Sequence, residues 1–244
     1  MNEKRQRADL VLVARGFFAS RARAQAAIAA GLVRADGALI GKASEEIAPT
    51  AAIEATAAHP WASRGGVKLV AALDAFGLDP VGLVCLDVGA STGGFTDVLL
   101  ARGARRVYAV DVGRDQLDQR LRTDRRVIAR EGLDARKLTS SVFDEPPQAI
   151  VCDVSFISLR LVLPRVLSLA AEEAWLAALI KPQFEVGRAR LKKGVVKDEV
   201  ALSEACDGVV ACVEGLGWRS LGVMASPIRG GDGAKEFLIG ARHG

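Results

Sequence analysis

Hydrophobic positions change period along this chain. Near the N-terminus they fall at helical spacing: RADLVLVARGFF places Leu10, Val13 and Phe17 on one predicted helix. Ser20 is a fitting N-cap for a second helix, SRARAQAAIAAG, which stops at Gly31. Short apolar runs follow. Leu32–Arg34 and Ala38–Ile40 flank Asp36-Gly37, a strong hairpin-turn signal, and Ile47–Ala55 reads as a last strand. Pro60, in AHPWAS, marks a short linker over residues 58–63 between a module at 1–57 and the remainder at 64–244.

Beyond the linker, compact apolar runs alternate with helical patterns. Strands are predicted at Leu83–Val88, Arg106–Val112, Val127–Arg130, Ala149–Asp153 and Trp175–Lys181. Helices are predicted at Gly94–Arg102, around Asp115–Leu121 and near Leu159–Ala170. This alternation predicts an α/β fold with a mostly parallel sheet, helices on both faces and ligands at the carboxyl ends of the strands. No apolar run approaches the ~18–20 residues a membrane helix needs. Nor does the N-terminus read as a secretory signal, which predicts a cytoplasmic protein with no membrane partner.

Composition sharpens the picture in three places. Cys85, Cys152, Cys206 and Cys212 have no metal-type spacing, and only His59 and His243 could assist them, so free thiols and no metal site are expected. The net charge is +4, and residues 1–30 alone carry it, with Lys4, Arg5, Arg7, Arg15, Arg21 and Arg23 against Glu3 and Asp9. A basic module on a near-neutral remainder suits an anionic partner. Its few aromatic residues favour phosphate contacts over base stacking. Arginine outnumbers lysine, 24 to 9, so lysine at a functional position is not the compositional default.

The stretch LDVGASTGGFTDVLL passes from strand to helix through small residues. Glycines there let the backbone approach a ligand, and Asp111 ends the next strand 22 positions after Gly89, where a carboxylate can accept ribose hydroxyls. The phosphate-cradling G-x-G-x-x-G of dinucleotide folds is absent, since the sequence reads G-A-S-T-G-G.

Two resemblances follow from these motifs. Ser20-Arg21, Arg23, Ala24, Gln25, Ile28, Gly31, Val33, Asp36, Gly37 and Lys42 resemble the small α+β RNA-binding domain of ribosomal protein S-four. SRGGVKL, DVGASTGGFTD, CDVSFISL, IKPQFE and KEFL resemble the FtsJ-like class I (Rossmann-like) methyltransferases. The two domains together, over about residues 7–240, resemble the TlyA family.

These resemblances imply S-adenosylmethionine as cofactor, held by Asp87, Gly89, Ser91, Thr92, Gly93, Gly94, Phe95 and Asp111, with Asp134 at the adenine. Asp87 would help to stabilise the sulfonium. They imply catalysis by Lys68, Asp153, Lys181 and Glu236, and RNA contacts from Arg5, Arg7, Ser20, Arg21, Arg23 and Lys42. Arg188, Lys192 and Lys193 would lie on a mobile basic loop beside the site. Lysine can take up a proton where arginine cannot, but whether Lys181 is a base or an orienting cation stays open. The implied reaction is 2′-O-methylation of cytidine in ribosomal RNA, by a monomer that does not use DNA, with an effect on capreomycin-type antibiotic sensitivity. The short termini lean toward the subgroup acting on 23S alone. A catalytically silent RNA-binding assembly factor and a haemolysin-type membrane protein are the rival readings.

Overall fold

The computed structural model describes residues 4–230 and 233–244, apart from the side chain of Arg188. The chain divides into two compact units, residues 1–64 and 65–244.

In the first unit a strand at Gln6–Arg7 leads into a helix at Ala8–Ala14, and a second helix runs Arg21–Ala29. Ser20 has extended backbone and its hydroxyl accepts the Arg23 amide at 3.4 Å, which caps the second helix. Gly31 ends it at φ +71°. The first helix buries Ala8, Val11 and Leu12. The expected stripe of Leu10, Val13 and Phe17 is thus displaced: Leu10 and Phe17 are exposed, and only Val13 packs partly on the core.

Asp36 and Gly37 both have positive φ and join Val33–Ala35 to Ala38–Leu39, as an Asp-Gly hairpin turn requires. The expected strand from Ile47 to Ala55 is two strands. Glu46–Ile47 pairs with Gln6–Arg7, and Ile53–Ala55 pairs with Val33–Ala35. Pro49, lying between them, cannot donate to a ladder and so suits the break.

The second unit is a seven-stranded sheet. Its strands are β1 (Val84–Val88), β2 (Arg106–Asp111), β3 (Val127–Glu131), β4 (Ala149–Cys152), β5 (Ala174–Ile180), β6 (Arg219–Ala225) and β7 (Phe237–His243). The order is β6-β7-β5-β4-β1-β2-β3, with β7 alone antiparallel to its neighbours. Every residue of β1, β4 and β5 is buried. That explains their unbroken apolar runs, since a central parallel strand has helices over both faces.

The helices are α1 (Gly65–Phe76), α2 (Gly94–Ala101), α3 (Gln119–Arg122), α4 (Leu159–Leu167), α5 (Pro182–Glu185) and α6 (Glu199–Gly215). Val84, Leu86 and Val88 share a core with Leu159, Leu163 and Val166 of α4 and Val209 and Val213 of α6. No helix among the described residues is long and apolar enough to cross a membrane.

The order of strands reverses at β1, because β2 lies on one side of it and β4 on the other. A crevice therefore opens beyond the carboxyl ends of these strands. The chain leaves β1 through Gly89 and enters α2 through Gly93, at φ +92°. A Cβ on Gly93 would stand 2.3 Å from Cδ1 of Leu121. Glycine is favoured here first by the left-handed backbone and then by the leucine side chains packed against it. Gly93→Ala should lower the unfolding free energy by about 2–4 kcal/mol, as left-handed strain and overpacking combine, measurable by urea denaturation.

Candidate active site

Two lysine–carboxylate pairs stand at one end of the sheet. Lys68 lies inside α1, and not merely before the first strand as its motif suggested. Its ammonium is buried and donates to Glu236 Oε2 at 2.5 Å. Glu236 immediately precedes β7. Ile180 of β5 pairs with Phe237 of β7, so the next residues outward, Lys181 and Glu236, emerge side by side.

Lys181 donates to Ser155 Oγ at 2.6 Å, and its Nζ lies 2.6 Å from Asp153 Oδ1. The latter contact is a charge pair without hydrogen-bond alignment, so Asp153 Oδ1 keeps an unmatched acceptor. The Asp153 amide donates to the Val88 carbonyl at 2.9 Å. A Cβ on Gly89 would stand 2.4 Å from the Asp153 carbonyl oxygen. The glycine loop and Asp153 therefore fit only because Gly89 has no side chain.

Beside this cluster lies a cavity of about 1020 Å³, lined among others by Gly89, Ser91, Asp111, Asp134, Asp153 and Phe156. The Asp111 carboxylate is fixed at the tip of β2 by two amides, Ser91 at 2.8 Å and Gly113 at 2.7 Å. Asp134 lines the cavity too, but its oxygens are engaged. It caps the turn at Ala135–Lys137 and pairs with the Arg136 guanidinium, which holds its carboxyl down at about 2. Any adenine amine at this edge competes with Arg136.

The remaining loop residues divide differently from expectation. Asp87 and Phe95 are buried in the protein and do not line the cavity; nor do Thr92, Gly93 and Gly94. Phe95 is a core residue of α2. Asp87 accepts the Thr96 hydroxyl at 2.6 Å, while its second oxygen has no hydrogen-bond partner. Burial pushes this carboxyl up to about 7; the Thr96 hydroxyl opposes the shift, and the nearby charges of Asp153 and Asp111 add to it. Asp87 thus ties β1 to α2 through Thr96 from beneath the loop.

Ser155, Phe156 and Glu185 were not singled out from the sequence, although all three sit within the motif stretches quoted for other residues. Phe156 is 92% exposed at φ +65°, unusual for a bulky residue.

With this arrangement established, the comparisons become specific. A family profile described as FtsJ-like methyltransferase matches residues 61–243. The chain belongs to the FtsJ-like methyltransferase family. A protein named 16S/23S rRNA (cytidine-2′-O)-methyltransferase TlyA, from Mycobacterium tuberculosis, is 43% identical over 98% of this chain and 90% of its own. A Campylobacter jejuni protein named 23S rRNA (cytidine-2′-O)-methyltransferase TlyA is 42% identical over 73% of this chain and 69% of its own. A solved structure from Streptococcus thermophilus, described as a hemolysin, is 37% identical with a TM-score of 0.79, over 98% of this chain and 88% of that one.

In the first unit, the arginines expected to meet RNA have defined partners. Asp9 is fully buried and receives Arg7 (3.0 and 3.1 Å), Arg21 (2.9 and 3.2 Å) and Gln25 (2.8 Å). The Arg7 hydrogen bond, the largest influence, with Gln25 and Arg21 outweighs burial and holds the Asp9 carboxyl well below its usual range. Arg5 donates to the Glu46 carbonyl and Arg23 to that of Pro60. Lys42 is exposed.

In the second unit Lys192 and Lys193 are exposed at a two-residue turn, with Lys192 bridging Val195 and Lys193-Gly194 at positive φ. The basic stretch expected to be a mobile loop thus has a defined turn, and Leu191 and Val196 pack beside it. The side chain of Arg188 lies outside the described residues.

Asp87 ties pH to stability. Its folded value lies above its unfolded one, so folding takes up a proton and this group favours the folded state less as pH rises from about 4 to about 7. Asp87→Asn removes that dependence. The melting temperature of the variant should gain on the wild type across this window and keep the advantage at pH 8, as thermal unfolding would record.

Proposed function

We propose that this chain is an S-adenosylmethionine-dependent methyltransferase that methylates the ribose 2′-hydroxyl of cytidine in ribosomal RNA. In this reading it acts as a cytoplasmic monomer. The observation that carries the reading is the convergence of two lysine–carboxylate pairs at the sheet end beside a cavity that Asp111 and Gly89 line. The cavity fits the cofactor in size and chemistry: it is about 1020 Å³, with an anchored carboxylate to meet ribose hydroxyls and Asp153, paired with Lys181, on its wall.

When bound, S-adenosylmethionine supplies an electrophilic methyl group. The chain's own residues handle the acceptor. Lys181 is tethered by Ser155 and Asp153, which gives it one direction toward a hydroxyl. To take the proton that the hydroxyl loses, Lys181 must enter the step as the free amine, its own proton having first left to solvent; Asp153 then stabilises the ammonium that re-forms. Lys68 adds a second cation whose charge Glu236 compensates. Phe156 offers an exposed ring on the cavity's rim, suited to stacking on a base brought to the site.

RNA attachment is supported by Arg7 and Arg21, half-exposed yet fixed on Asp9 in the first unit. Lys192 and Lys193 are exposed cations close to cavity-lining Leu191 in the second. Phosphate contacts of this kind position RNA without reading sequence.

Radiolabelled methyl transfer to unmethylated 16S and 23S RNA, each free and in subunits, tests the reading. The wild type should label ribose, and Lys181→Ala should lose about 10²-fold or more in kcat. Absence of label on every RNA despite cofactor binding would favour an RNA-binding factor. Phe156→Ala should raise KM for RNA by roughly 5- to 150-fold, the loss of one stacked base, while cofactor affinity stays unchanged.

A further inference from the structure

Asp153 and Lys181 belong to different strands, and the ladder between those strands ends early. The last paired residues of β4 and β5 are Cys152 and Ala178. Beyond them no bond of that ladder fixes the Asp153–Arg160 segment against the Lys181–Glu185 segment. Lys181 itself reaches across to Ser155 and Asp153, and one buried side chain adds a second tie.

Glu185, at the end of α5, is buried. It accepts the Ser158 hydroxyl at 2.5 Å, the Leu159 amide at 2.7 Å and the Arg160 guanidinium at 3.3 Å. Arg160 also donates to the Glu185 carbonyl at 2.9 Å. A carboxylate suits this place, because it meets both a guanidinium and the free amides that begin α4. Nearer the cavity the same two segments meet again, where the rings of Phe156 and Phe184 lie 5.3 Å apart.

The upstream end of the loop is held by the Asp153 amide on Val88, and the downstream end by Glu185. Between the two anchors lies Phe156, in a backbone conformation that persists only where its surroundings impose it.

We propose that Glu185 is a positioning residue: it sets the Asp153–Ser155–Phe156 loop against Lys181 and thereby aligns the groups that handle the acceptor hydroxyl. The inference rests on the methyl-transfer reading above. Glu185 touches neither substrate nor cofactor in this role. Its removal misplaces two groups that must meet one atom, and displacements near 1 Å are costly at such a site.

The experiment is steady-state methyl transfer to ribosomal RNA by the full chain. S-adenosylmethionine binding by calorimetry and thermal melting run in parallel. Glu185→Ala should lower kcat by roughly 10- to 100-fold while cofactor affinity stays within about twofold of wild type. Glu185→Gln can still accept from Leu159 and donate to Ser158, but its amide nitrogen then faces the Arg160 guanidinium, so it should recover part of the lost kcat and stand clearly above Glu185→Ala.

If Glu185→Ala does not fold, Glu185→Asp takes its place. It keeps the charge but shortens the reach, and it should lose kcat several-fold with wild-type cofactor binding. Wild-type kcat in Glu185→Ala or Glu185→Asp overturns the proposal. So does a Glu185→Gln variant as slow as Glu185→Ala, or a kcat loss that tracks a loss of cofactor affinity. No label from the wild type would instead sink the methyl-transfer reading, and this inference with it.

Discussion

The seam between β1 and β4 is the constraint on which the second unit depends. At that seam the Asp153 amide bonds the Val88 carbonyl, and Gly89 passes so close to the Asp153 carbonyl that no side chain could fit. The same few ångströms must serve both the turn toward α2 and the start of the loop that carries Asp153, Ser155 and Phe156. A shift at Gly89 therefore moves a cavity wall and a member of the charged cluster together. Beneath the seam Asp87 is held fully buried with one unpartnered oxygen, a costly arrangement that only a rigid surround sustains.

Charge placement follows from the sheet's interior being apolar throughout its central strands. Ionised groups are excluded from β5 and accumulate where it ends, and the antiparallel β7 brings Glu236 to the same edge from the opposite chain direction. Each lysine is matched by one carboxylate, so the cluster is nearly neutral as a whole. The first unit uses another solution. One buried aspartate organises two arginines and leaves a net positive surface, which suits a polyanion.

Much of this was legible in the sequence because strong local rules apply to it. The Asp36-Gly37 turn, the Ser20 cap, Gly31 and the alternating buried strands follow from backbone chemistry that tertiary packing did not override. The stripe on the first helix was misread by one position, since Leu10, Val11 and Leu12 are all apolar and only the neighbouring elements decide which are covered. The strand predicted from Ile47 to Ala55 failed at Pro49. At the site, spacing pointed to Asp111, and the motif resemblance pointed to the four charged groups. They could not show that Phe95 and Asp87 support the loop from within, that Asp134 is occupied by Arg136, or that Glu185 joins two segments 25 or more positions apart. Those facts depend on packing between distant parts of the chain.

The central claim is that the charged cluster directs a methyl group to a ribose oxygen. Nucleoside mass spectrometry of unmethylated ribosomal RNA, after incubation with the protein and S-adenosylmethionine, tests it most directly. The account predicts the appearance of 2′-O-methylcytidine. A methyl group on a base, or RNA left unmodified by protein that binds the cofactor, would contradict it.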